Sequence, residues 1–284
     1  MKQALSTHLF LNHKLSVTTL EAIERAGIPA LEIFCARQHF DYTDEAQVRE
    51  LAAWFADHKL ELRSLHSPLY QDYSWGRSTG AAINIAETDR HRRLESVEEI
   101  KRALDVAEHI PFRYLIQHLG VAHEKYDIAK FDAAFASLEP LLVYAKQRGV
   151  EILLENIPNE LSRPEKLRYF RDYTHLTDLR VCFDSGHAHL GDGVVTEFEA
   201  LRDLVVSTHL HDNRGDKDDH LFPGQGTIDW KATLHALAQA RGDFPLQLEL
   251  RDHGEFPHPL EEALKVFARF QENLRASAPA KARS

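Results

Sequence analysis

The sequence predicts an α/β chain folded as one (β/α)8 TIM barrel over residues 1–275, and three observations carry that prediction. Short apolar runs alternate with stretches of helical periodicity eight times along the 284 residues. No Pro-, Gly- or Ser-rich linker divides them, and from the third run onward each ends in a polar residue able to do chemistry. An open doubly wound sheet usually has fewer strands and a Gly-rich phosphate turn after the first, whereas the turn here reads "NHKLS". Residues 276–284, "ASAPAKARS", read as a disordered tail.

In chain order, the first unit is a strand at "HLFLN" (8–12) followed by a helix over 17–27, and the second is "ALEIF" with a helix over 43–58 that opens at Asp44-Glu45. The third is "LELRSLH" with 90–109, which carries Ser96 and Glu98-Glu99. The fourth is "RYLIQHLG" with 128–148, closed by Gly149. "VEILLEN" with 164–175 and "LRVCFDSGH" with 196–203 make the fifth and sixth. "LVVSTHLHD" with 229–241, capped by Asp229, makes the seventh, and "FPLQLEL" with 260–274 closes the barrel.

Composition narrows the function. Lys plus Arg number 34 against 44 Asp plus Glu, a net charge of −10 that disfavours a polyanionic partner. Arg77 and the Arg90, Arg92, Arg93 group are local exceptions, the last three read as a solvated helix face. No run reaches the roughly 18 apolar residues of a membrane span and the N-terminus lacks a signal-peptide core, so a cytoplasmic protein is expected. Only Cys35 and Cys182 are present, each in an apolar run, so a metal would be held by imidazole and carboxylate, for which the chain has 18 histidines.

Barrel enzymes place chemistry at the C-terminal ends of their strands. Those ends are His66, His118, Glu155, Asp184, His209 with His211, and Glu249. Two residues earlier stand Ser64, Ile116, Leu153, Cys182, Ser207 and Gln247, small, apolar or neutral, as an inward face requires. Taken singly, a His or Glu at a strand end is an ordinary hydrogen-bonded cap. Together they crowd carboxylates onto one rim, where they repel one another unless a cation neutralises them. Imidazole plus carboxylate without thiolate suits manganese or zinc, with cobalt or iron also compatible, and is poor for calcium. His187 follows Asp184 across a glycine, and the long loop after the seventh strand adds Asp218 and His220. Asp216 and Asp219 read as solvated charges of that loop.

On these residues the chain resembles the xylose isomerase-like TIM-barrel superfamily over nearly its whole length. The resemblance to its single-metal sugar epimerases implies Glu155, Asp184, His209 and Glu249 as metal ligands. It also implies Glu155 and Glu249 as the acid-base pair, reaching a small polyhydroxylated substrate from opposite sides around a metal-stabilised enediolate. His211, just past the ligand, then faces substrate or supports the site, and His66, His118 and His187 contact substrate. The endonuclease IV type of apurinic endonuclease, a zinc phosphodiesterase in the same superfamily, implies a larger cluster instead. Its additional ligands correspond to His66, His118, His187, Asp218 and His220, giving three ions rather than one, and "GQG" at 224–226 resembles that family's Gly-Glu-Gly turn. A metal-dependent lyase or deglycosylating enzyme on a modified sugar is a third class. For the substrate, Trp75 with Tyr70 and Tyr73 in the long loop after the third strand form a candidate cover, with Phe222-Pro223 as a second wall. Arg251, Arg37 and His39 are candidates for an anionic group, and Glu32 for an inward-facing position. His8 has no supporting pattern and reads as structural or exposed. An oligomeric interface on the outer helices is not legible.

Overall fold

The computed structural model describes residues 1–73, 81–240 and 242–277. Its strands are β1 (Gln3–Ser6), β2 (Ala30–Phe34), β3 (Glu61–His66), β4 (Tyr114–His118), β5 (Glu151–Glu155), β6 (Arg180–Asp184), β7 (Val205–His209) and β8 (Leu246–Leu248). All pair in parallel, in the order β7-β6-β5-β4-β3-β2-β1-β8. The two ends meet just past β7, where Leu210 donates its N–H to Gln247 O (2.8 Å) and Glu249 donates to Leu210 O (3.3 Å). The result is the expected TIM barrel.

Around it lie α1 (Val17–Arg25), α2 (Glu45–Asp57), α3 (Arg90–Asp105), α4 (Ile128–Gln147), α5 (Pro164–Thr174), α6 (Ser185–Leu190), α7 (Val194–Leu201), α8 (Trp230–Gln239) and α9 (Pro259–Ser277). Their starts follow local chemistry: Ser16, Asp44, Asp89, Asp127 and Asp229 each accept a backbone N–H of the first turn of α1, α2, α3, α4 and α8. None of the described helices is long and apolar enough to cross a membrane.

The period of two sorts the strands into two cores. Leu5, Leu31, Leu65, Leu115, Leu154, Phe183 and Leu248 point outward and pack against the helices. Tyr114, Ile116, Leu153 and Cys182 form a separate apolar cluster inside the barrel, beneath the rim. One extra residue in β3 and one in β7, Arg63 and Val206, break the register and meet each other: Arg63 Nη2 donates to Val206 O (3.4 Å), with its guanidinium 5.1 Å from the Tyr114 ring. The floor is thereby filled and chemistry is left to the top.

Two elements differ from the expectation. β1 lies at Gln3–Ser6, and "HLFLN" is instead a 3-10 turn over Thr7–Phe10 followed by a bend. The physical reason is hydroxyl competition: Ser6 Oγ accepts His8 N–H and Thr7 Oγ1 accepts Phe34 N–H, turning the chain out of the ladder. The second difference is α6, where a glycine turn was expected after β6; Asp184 ends the strand and caps this helix by accepting His187 N–H (2.7 Å). α9 continues through Ser277, and the tail from 278 onward lies outside the described residues.

One outer carboxylate yields a pH prediction. Glu197 on α7 is 6% exposed, and burial pushes its carboxyl up from 4.5 to about 7 even though Asp192 N–H donates to it (3.0 Å). The folded-state value exceeds the unfolded one, so this group's contribution to stability is fully present below pH 4.5 and is lost as pH rises through about 7. Glu197→Gln is expected to raise unfolding free energy by about 2 kcal/mol at pH 8 and to change little near pH 4.5. Urea denaturation at the two pH values checks it.

Candidate metal centre

Glu155 ends β5, Asp184 ends β6, His209 ends β7 and Glu249 follows β8 directly, so the barrel brings all four to one point. They are 0–1% exposed, and one donor atom from each lies within 4.8 Å of the others. His209 is the hub. Its Nδ1 is 2.9 Å from Glu155 Oε1, 3.4 Å from Glu249 Oε2 and 4.0 Å from Asp184 Oδ2. β5 and β8 flank the β6–β7 pair, so the two glutamates reach the cluster from either side of His209.

The remaining histidines surround this point. His118 Nε2 is 3.0 Å and His66 Nε2 3.4 Å from Glu155 Oε2, and His66, Glu155 and His209 form a second group of three. His187, His211, Asp218 and His220 form a third group. Within it Asp218 Oδ2 is 3.0 Å from His187 Nε2 and 3.2 Å from His220 Nε2. His211 lies behind the cavity wall, fully buried, with Nε2 3.0 Å from Asp184 Oδ2 and its ring stacked 3.9 Å from that of His220.

Electrostatics follow from these contacts. Burial works against the Glu155 carboxylate, yet His209, His118 and His66 hold it well below the usual range. Burial, helped by Glu155, pushes Glu249 up. Asp218 is held well below its ordinary value by His220 and His187 despite burial, and in return Asp218 carries His220 up to about 9. The donor set fits a divalent ion: three carboxylates and an imidazole converge, and among the described residues no lysine or arginine pairs with these carboxylates. Glu249 Oε1 is also buried there without a hydrogen-bond partner.

Above the cluster is a cavity of about 170 Å³ whose wall includes His8, Phe34, His66, His220 and Arg251. It shares Leu69, His118, His187 and Asp218 with an adjoining groove of about 350 Å³ lined by Ile83, Val121 and Ile157. Arg251 thus stands at the site. Arg37 and His39 do not serve an anion: Arg37 is paired with Glu99 (2.8 Å) and Asp41, and His39 is buried with Nδ1 2.6 Å from His13 O. Phe222 is buried against Phe256 rather than forming a wall. Tyr70 borders the adjoining groove, and Tyr73 donates to Asp41. Trp75 and Arg77 lie outside the described residues.

Three residues at the site, His8, Asn156 and Asp212, have no role legible in the sequence, and a fourth, Glu32, is legible there only as inward-facing. His8, set aside as structural or exposed, lines the cavity with its ring 4.5 Å from that of His220; the displaced first strand hid it. Glu32 touches His209 Nε2. Asn156 clasps β6, accepting Asp184 N–H (2.8 Å) and donating to Asp184 O (2.9 Å). Asp212 accepts N–H groups of Asn213, Gly224 and Ile228 and the Trp230 indole, folding the whole 212–228 loop around one carboxylate. Its place in "HLHD" was the available signal.

Gly186 in α6 exists for contact: a Cβ there would sit 1.9 Å from His211 Cε1. Gly186→Ala is expected to push His211 off Asp184 and to cost about 1–3 kcal/mol of stability, measured by chemical denaturation.

The family model described as "Xylose isomerase-like TIM barrel" matches residues 20–272. An uncharacterized protein y4fM of Sinorhizobium fredii is 30% identical over 171 residues, 56% of this chain and 53% of that protein, so the chain spans about half its length. MJ1311 of Methanocaldococcus jannaschii is 26% identical over 94% of this chain and 90% of its own. Inosose isomerase of Bacillus velezensis is 22% identical over 87% of each. Among solved structures, a D-tagatose 3-epimerase-like protein superposes with TM-score 0.75 at 23% identity, covering 98% of both chains. The IOLI protein with a bound zinc atom does so with TM-score 0.77 at 19% identity, covering 98% of this chain and 99% of that one.

Proposed function

The chain belongs to the xylose isomerase-like TIM-barrel family, and from that premise we propose that it is a divalent-metal-dependent isomerase or epimerase acting on a small sugar or sugar phosphate. The observation that carries this reading is the convergence of Glu155, Asp184, His209 and Glu249 beneath a small polar cavity. Inosose isomerase among the sequence relatives and fructoselysine 3-epimerase of Escherichia coli O157:H7, 25% identical over 53% of this chain, lend it support.

Glu155, Asp184, His209 and Glu249 would hold the ion. Manganese or zinc bound there supplies Lewis-acid polarisation of a carbonyl and its neighbouring hydroxyl. The chain's own residues do the rest. One of Glu155 and Glu249 takes the proton from the carbon beside the carbonyl and the other returns one from the far side of His209, general acid-base catalysis by two carboxylates. His66 and His118 orient Glu155 and line the cavity that would receive the substrate. Phe34, its ring 4.3 Å from His66, offers an apolar wall to a sugar's C–H face, and Arg251 binds an anionic substituent where there is one. Incubation with a ketose panel in D2O tests the reading: exchange of a carbon-bound hydrogen is the expected result, and absence of exchange in metal-loaded protein overturns it.

One observation favours a second reading, a three-ion zinc phosphodiesterase. The group His187-His211-Asp218-His220 could hold an ion of its own, and His66-Glu155-His209 one that would share Glu155 and His209 with the four-residue centre. Near three zinc ions per chain together with cleavage of abasic-site DNA would select it over the epimerase; the net charge of −10 weighs against that substrate.

A further inference from the structure

We propose that Glu32 is a positioning residue that holds the Nε2 proton of His209 and so keeps Nδ1 free to face an ion; the inference rests on the metal-centre reading above. Glu32 lies mid-strand in β2, in register with Ser6 on one side and Ser64 on the other, and is fully buried inside the barrel. Its two oxygens are 3.1 and 3.2 Å from His209 Nε2. Ser64 Oγ donates to Oε2 (2.8 Å), which fixes the carboxylate in turn.

His209 is therefore contacted differently on its two nitrogens. Nδ1 faces Glu155, Glu249 and Asp184, the residues that would share an ion with it, and Nε2 faces Glu32, the one carboxylate outside that group. A neutral imidazole has one proton, and a ligand nitrogen must not carry it. A carboxylate on the far nitrogen selects the tautomer, fixes the ring plane and raises the basicity of the coordinating nitrogen. No packing requirement accounts for a carboxylate at this depth. Its register neighbours, Ser6 and Ser64, are small, and a buried acid is a less stable occupant than a hydrocarbon unless it is paired, as Glu32 is with His209.

The test compares Glu32→Leu and Glu32→Gln with the wild-type chain. Zinc affinity of the purified apo-protein is measured by competition with a chromophoric chelator, and the His209 tautomer by 15N-correlated NMR of histidine-labelled protein. Glu32→Leu is expected to bind zinc at the four-residue centre roughly 10–100-fold more weakly, with a lower apo melting temperature because His209 and Ser64 lose a buried partner. Glu32→Gln, which still offers an oxygen to Nε2–H, is expected to recover most of that loss. Recorded at a pH high enough for the His209 imidazole to be neutral, the wild type should show the proton on Nε2, and Glu32→Leu a mixture. Equal zinc affinity and an unchanged tautomer in Glu32→Leu would overturn the proposal. If the wild type binds no zinc, the metal reading fails, and the tautomer comparison alone decides: a shift in Glu32→Leu supports the role and identical spectra reject it.

Discussion

Glu249→Gln is expected to lower kcat by a factor of 10² to 10⁴ and to weaken metal binding while leaving the fold unchanged, and Glu155→Gln to do the same with an added loss of stability. The difference between them follows from their contacts. Glu249 Oε2 approaches His209 Nδ1 (3.4 Å) and His220 Nδ1 (3.6 Å) and its Oε1 is without a partner, so an isosteric amide fits, and what is lost is proton transfer together with one anionic ligand to the ion. Glu155 is engaged on both oxygens, with His209 at 2.9 Å, His118 at 3.0 Å and His66 at 3.4 Å. An amide there presents N–H₂ to one or more imidazoles and removes the charge that balances them, so a cost of about 1–3 kcal/mol is expected. Hydrogen exchange at the substrate carbon, metal content and denaturant midpoints measured together separate the effects. Wild-type turnover in metal-loaded Glu249→Gln would show that Glu249 is not part of the acid-base pair.

Much of this site was legible because parallel barrel strands repeat one rule. A strand in register with its neighbours delivers its last inward residue to the same rim, so the order His66, His118, Glu155, Asp184, His209, Glu249 in sequence is also an arc in space. β1 escaped because four residues carry too little alternation to outweigh the more apolar "HLFLN", and while Ser6 acts locally on His8 N–H, the hydroxyl of Thr7 acts through Phe34, one strand away. Glu32 was visible as a polar residue in an apolar strand, but its role depends on His209, 177 residues later, and no local pattern encodes such a pairing. Arg37 illustrates the converse: a cation at a strand end suggested an anion site, and the α3 residue Glu99, buried and 62 positions away, had already claimed it.

Removing metal is expected to abolish turnover and to lower stability steeply, and the concentration dependence of that effect reads the number of ions. Without a cation the barrel mouth keeps donor atoms of Glu155, Asp184 and Glu249 within 4.8 Å of one another with the side chains almost fully buried, an arrangement that imidazolium charges relieve only in part. An ion bound to the native state alone contributes RT ln(1 + [L]/Kd), about 2.7 kcal/mol at a hundredfold excess over Kd, or roughly 5–10 °C in melting temperature for a chain of this size. At saturation each further decade of free zinc or manganese adds about 1.4 kcal/mol per ion bound. A single-ion epimerase therefore gives that slope, and a three-ion cluster roughly triple. Asp218 supplies the control: it touches His187 and His220 but none of the four residues at the centre. Asp218→Asn should leave the slope unchanged when one ion is bound, and should reduce it by about 1.4 kcal/mol per decade when His187, Asp218 and His220 hold an ion of their own.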